Sequence, residues 1–84
     1  MSNMPATSNL FDPNADLSQR IAYDVNGNAE YIGKAMPGTL TSAAAWQIKK
    51  CVYDVNNNIV SVGFPGGDNS YLSVWDDRAT YSYA

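Results

Sequence analysis

An all-β fold, a small antiparallel sheet or sandwich of two similar hairpins plus a terminal strand, is what this sequence predicts, and three observations predict it. From residue 20 onward apolar and polar residues alternate with the two-residue period of a half-buried strand. The segment Tyr23-Asp24-Val25-Asn26-Gly27-Asn28 returns thirty positions later as Tyr53-Asp54-Val55-Asn56-Asn57-Asn58, and Gly33 is matched by Gly63. Asparagine and glycine gather where each copy must reverse, and both tolerate the positive φ angles that tight hairpin turns require.

The elements follow in order. Residues 1–19 hold two prolines and several asparagines, serines and threonines, with Leu10, Phe11 and Leu17 as apolar anchors, so they read as an extended N-terminal arm preceding a β domain over 20–84. Ile21 to Gly33 reads as the first hairpin. Pro37-Gly38 marks a turn, and Thr41 or Ser42 is placed to cap a short helical turn over Ala43-Ala44-Ala45. Trp46 to Tyr53 reads as a strand whose alternation slips at Lys49-Lys50, the signature of a bulge or of an edge strand guarded by lysines. The second hairpin ends near Gly63. Pro65-Gly66-Gly67-Asp68-Asn69 is a loop, Tyr71 to Trp75 fits either a strand or one helical turn, and Ala79 to Tyr83 alternates as the terminal strand.

Length and composition narrow the function. A chain of 84 residues makes one domain and buries only about 60% of the surface its unfolded form exposes. Chains this small add a disulfide, a metal or association. Here Cys51 is the one cysteine and histidine is absent, which leaves association. A single thiol fits synthesis in a reducing cytoplasm. The opening Met-Ser-Asn-Met-Pro lacks the basic and apolar regions of a signal peptide, and no apolar stretch approaches the roughly 20 residues a bilayer span needs, so membrane insertion is not expected. Five scattered basic residues against eight acidic ones, a net charge of −3, give no positive field for direct nucleic-acid binding.

No catalytic, cofactor-binding or metal residue emerges, and the chain is not expected to be an enzyme. Without histidine the usual general base is missing, and Cys51 lies inside a strand with no neighbour to activate it. Asp76-Asp77-Arg78 reads as a local ion pair or turn cap. The two Asp-x-Asn-x-Asn runs match the opening of a calcium loop, but the sixth position is Ala29 or Ile59 and the twelfth Ala35 or Pro65, in place of the glycine and glutamate such loops need. Turns bonding their own backbone account for the same residues. Most of the tyrosines and tryptophans belong to the core. A domain this small cannot hide them all, and Tyr71, Trp75, Tyr81 and Tyr83, with Leu10 and Phe11 of the arm, are the candidate interface residues.

The stretch from Tyr31-Ile32-Gly33-Lys34-Ala35 through Pro37-Gly38-Thr39 and Ser42-Ala43-Ala44-Ala45-Trp46-Gln47-Ile48-Lys49-Lys50, followed by Tyr53-Asp54 and Trp75-Asp76-Asp77-Arg78-Ala79-Thr80, resembles a family of short virion-associated proteins of tailed bacteriophages. The resemblance covers about three quarters of the chain and leaves the arm outside. It implies a structural component of the virion, made in the host cytoplasm and packed against other virion proteins and copies of itself, in a tail, neck or fibre attachment or as a capsid cementing protein. It carries no catalytic residues. Two other functions fit the same composition: a glycan- or receptor-binding module stacking sugars on its aromatic rings, and a small acidic inhibitor of a host protein.

Overall fold

The computed structural model describes residues 16–84. Five strands, β1 (Ser18–Tyr23), β2 (Ala29–Ala35), β3 (Ala44–Tyr53), β4 (Ile59–Gly63) and β5 (Ser73–Val74), form an antiparallel sheet in the order β1-β2-β3-β4, with β5 pairing the start of β3. A 3-10 helix, Trp75–Thr80, follows β5. The fold is the predicted all-β one, and its first described strand starts at Ser18.

The internal repeat is structural. In both hairpins the Asp carboxylate accepts two backbone N–H groups: Asp24 Oδ1 from Asn26 and Asn28, and Asp54 Oδ1 from Asn56 and Asn58, all at 2.9–3.0 Å. Gly27 and Asn57 occupy the same turn position with φ of 82° and 64°. Each hairpin carries a bulge at the equivalent place, Ala22/Tyr23 in one and Val52/Tyr53 in the other. These carboxylates therefore fold the turns, and Asp54 is held below the usual carboxylate range chiefly by the Asn58 N–H. Because nothing lies within 4 Å of a Cβ built on Gly27, Gly27→Ala carries backbone strain alone. It is expected to cost about 1 kcal/mol, whereas Gly27→Asn, which copies Asn57, is expected to cost much less; thermal melts of the two variants compare them directly.

Alternation and register divide the sheet into two faces. Tyr31, Gly33 and Ala35 of β2 share a face with Trp46, Ile48 and Lys50 of β3, through the pairs Tyr31–Lys50 and Gly33–Ile48. Trp75 packs onto this face. The core cluster is Ala35, Trp46, Ile48 and Trp75, rimmed by Ala22, Tyr31, Tyr81 and Tyr83. Trp46 and Trp75 lie 6.0 Å apart between ring centroids, and the Trp46 indole N–H donates to the Leu40 carbonyl at 2.9 Å.

Four local expectations are corrected by tertiary structure. Ala44 and Ala45 begin β3 and pair with β5 instead of forming a helical turn; a sheet partner outweighs the modest helix preference of alanine. β3 is central, flanked by β2 and β4, and its register runs unbroken through Lys49-Lys50. Lys50 keeps its place on the core-facing side because its stem reaches out, with Nζ 5.7 Å from the Tyr31 ring centroid. Asp76, Asp77 and Arg78 stand in the 3-10 helix, where Arg78 Cζ lies 4.7 Å over the Trp75 ring. The terminal segment is no ladder strand: Ala79 and Thr80 complete the helix, and only Tyr83 forms an isolated bridge, with Pro65. Its alternation serves another purpose, placing Tyr81 and Tyr83 together over the sheet.

Candidate interaction surface

Of the six predicted interface residues, Leu10 and Phe11 lie outside the described residues. The structure brings three of the other four together on the core side. Trp75 is 6% exposed and belongs to the interior. Tyr81 and Tyr83 are half-buried, with centroids 6.3 Å apart, and Tyr83 meets Tyr31 at 5.7 Å. Their hydroxyls are engaged as well: Tyr81 Oη accepts the Val74 N–H at 2.8 Å, and the Tyr83 hydroxyl donates to the Arg78 carbonyl at 2.7 Å. Tyr71 stands apart, 38% exposed. It borders an apolar groove of about 340 Å³ with Leu17, Met36, Thr39 and Ala45, at the end of the sheet where β1 begins.

Burial pushes the Tyr83 hydroxyl up to about 12, with Tyr31 and Tyr81 adding to the shift and Arg78 opposing it. The sign follows directly. Between the ordinary value of 10.0 and about 12 the unfolded chain gives up a proton that the folded protein retains, so stability complete below this window declines as pH rises through it. Denaturant midpoints measured on both sides of that window are expected to fall with pH in the native protein and to fall less steeply in Tyr83→Phe.

Sequence reasoning missed the larger part of the surface. Five hydrophobic side chains are buried among the described residues, Ala35, Trp46, Ile48, Cys51 and Trp75, whereas twelve large ones are exposed. Several of the twelve share the face of the sheet opposite the core, where register aligns Ile21 with Ile32 and Cys51 with Val62. The 3-10 helix packs on the core side and leaves this second face uncovered by any described element. Val25 and Val55 project fully at the hairpin tips, 100% and 97% exposed, and the tips are joined by the Asn28 amide donating to Asn57 Oδ1 at 2.9 Å. A second tie lies just behind them, the Tyr53 hydroxyl donating to the Ala29 carbonyl at 2.8 Å.

Cys51 is a buried free thiol on the second face. Asp76 and Asp77 are exposed in the first turn of the 3-10 helix, where the Asp76 N–H donates to the Thr41 carbonyl at 3.1 Å. No three residues of the metal-ligating types converge among the described residues. Among the described residues no helix is long and apolar enough to cross a membrane. No family model, curated protein or solved structure matches the chain.

Proposed function

We propose that this chain is a structural component of a bacteriophage particle that acts by packing against neighbouring protein subunits, including copies of itself. The observation that carries the packing role is the imbalance, among the described residues, between five buried hydrophobics and twelve exposed large ones. Removing apolar surface from water is favourable by about 25 cal/mol per Å², so exposed apolar side chains of this number favour association with a second surface. Among the described elements, β1 and β4 stand at the two ends of the sheet and offer strand edges for that contact. The phage setting rests on the resemblance of the Tyr31–Lys50 and Trp75–Thr80 blocks to virion-associated proteins.

For the glycan-binding alternative, with Trp75 in the core and the hydroxyls of Tyr81 and Tyr83 engaged beside it, Tyr23 and Tyr71 are the exposed rings on which a sugar would stack. Mass spectrometry of purified particles tests the proposal. The chain is expected among the virion proteins, and its copy number separates a capsid position, with hundreds of copies, from a tail or neck ring with few. Detection in infected cells but never in particles would instead favour an inhibitor of a host protein.

A further inference from the structure

The two hairpins already show how one repeat joins the next. β2, the second strand of the first repeat, pairs with β3, the first strand of the second, in the register Tyr31–Lys50, Ile32–Lys49, Gly33–Ile48 and Lys34–Gln47. The thirty-residue repeat makes β4 the equivalent of β2 and β1 the equivalent of β3. These are the two strands that stand at the ends of the sheet order. One edge therefore offers the upper half of a seam whose lower half is displayed at the opposite edge.

We propose that β4 of one copy pairs with β1 of a second copy in the register by which β2 pairs with β3. Shifting each internal pair by thirty sets Ser61 against Arg20 of the partner subunit, Val62 against Gln19 of the partner subunit and Gly63 against Ser18 of the partner subunit. The seam stops there, since the Phe64 N–H and carbonyl are both bonded to Ala84 at 2.9 Å.

Three features favour this occupant. Ile59-Val60-Ser61-Val62-Gly63 is an exposed strand that lacks the charged residues and prolines that keep an edge from pairing. A neutral β4 accepts Arg20 of the partner subunit without like-charge contact, whereas β1 against β1 brings two arginine-bearing strands together. The third feature is Tyr23. Its equivalent, Tyr53, ties the internal seam by donating to the Ala29 carbonyl, and the equivalent acceptor for Tyr23 is the Ile59 carbonyl of another copy. Tyr23 is 63% exposed and its hydroxyl has no partner among the described residues. The asparagine tie at the tips is not repeated, because Gly27 stands where Asn57 does.

Joining unlike edges is heterologous, so copies add in series, as a ring where the rotation closes and as a filament where it does not. One strand seam is small beside the roughly 800 Å² per partner of a stable pair, and covalent trapping is the appropriate readout. This rests on the reading of the chain as a self-packing protein, and deepens it by naming the edges.

The test uses the full-length chain with Cys51→Ala, which removes the thiol facing Val62 across β3 and β4. With Val62→Cys and Gln19→Cys in the same chain, oxidation by oxidised glutathione at high protein concentration is expected to give a ladder of dimers, trimers and larger species. Each single variant alone stays monomeric, and an equimolar mixture of the two stops at dimer. Adding Tyr23→Phe to the double variant lowers the yield by up to about tenfold. A covalent dimer from Val62→Cys alone, which means β4 paired with β4, overturns the proposal, as does a double variant that never forms a ladder. Particles that contain the protein without such a ladder leave the virion reading standing and sink the seam; a ladder from a chain absent from particles does the reverse.

Discussion

Gly33→Ala is expected to lower the thermal midpoint by roughly 12 to 24 °C, the effect of about 3 kcal/mol in a domain of this size. A Cβ built on Gly33 falls 2.6 Å from Trp75 Cε3 and 2.7 Å from its Cζ3, with Trp46 Cε3 at 3.2 Å. Real carbon atoms do not approach so closely. The atoms in the way belong to rigid rings, so neither can bend aside as the end of a flexible chain does. Trp75 also carries the Arg78 guanidinium over its ring, and Trp46 is held by its hydrogen bond to the Leu40 carbonyl. Relief therefore requires lifting the 3-10 helix off the sheet. Gly33 is needed for the absence of a side chain, since its φ is not among the positive ones. Melting followed by near-ultraviolet circular dichroism, which reports the tryptophan packing, measures the effect. A midpoint within a few degrees of the native protein would mean that the helix does not press on Gly33 as described.

Trp75→Ala is expected to unfold the isolated domain at room temperature or bring it to the edge of unfolding. Truncating a buried tryptophan costs about 3–5 kcal/mol, against a total stability on the order of 5 kcal/mol for a small domain. Trp75 is one of only five buried hydrophobic residues among those described, so few buried side chains stand ready to fill the space it leaves. The readout is built in, because the sequence has two tryptophans and the variant keeps Trp46 alone. Its emission is expected to shift to the red, as from an indole in water. Trp75→Phe retains most of the ring and is expected to recover much of the native signal, which separates lost packing from a general failure to fold. Cooperative melting of Trp75→Ala near the native midpoint is the result that sinks this account.

Both effects are large for the same reason. The sheet is covered on one side by a short helix and a tail, so a few aromatic contacts hold the two layers together. Removing a β4 side chain such as Val60, 60% exposed, disturbs none of those contacts. Substitutions there are expected to change association while leaving the fold intact, which makes the two roles separable by experiment.

The hairpins were legible because their causes are local. An Asp side chain two and four residues from the N–H groups it accepts, with Gly or Asn at the positive-φ position, specifies its turn within five residues. The Pro37-Gly38 turn belongs to the same class: Gly38 has a φ of 85°, and the Thr39 N–H returns to the Met36 carbonyl. Alternation at Tyr81 and Tyr83 correctly marked extended backbone. It did not reveal whether that backbone joins a ladder or crosses over a sheet, since both keep a period of two. The candidate surface was legible in kind more than in detail. Aromatic residues were the natural nominees for an interface, yet rings also fill a core most efficiently, and Trp75 went inside while aliphatic residues such as Ile59, Val60 and Val62 stayed outside.

By itself, then, the sequence determined the all-β class, the two matched hairpins and their turn chemistry, because each depends on residues close together along the chain. Only the tertiary structure decided which strands lie at the edges, which face of the sheet is covered and which rings are buried. Those choices depend on the order in which strands assemble and on where the last ten residues come to rest. Lys49-Lys50 shows the difference: nothing within β3 distinguishes an edge from a centre, and only β2 on one side and β4 on the other make it central.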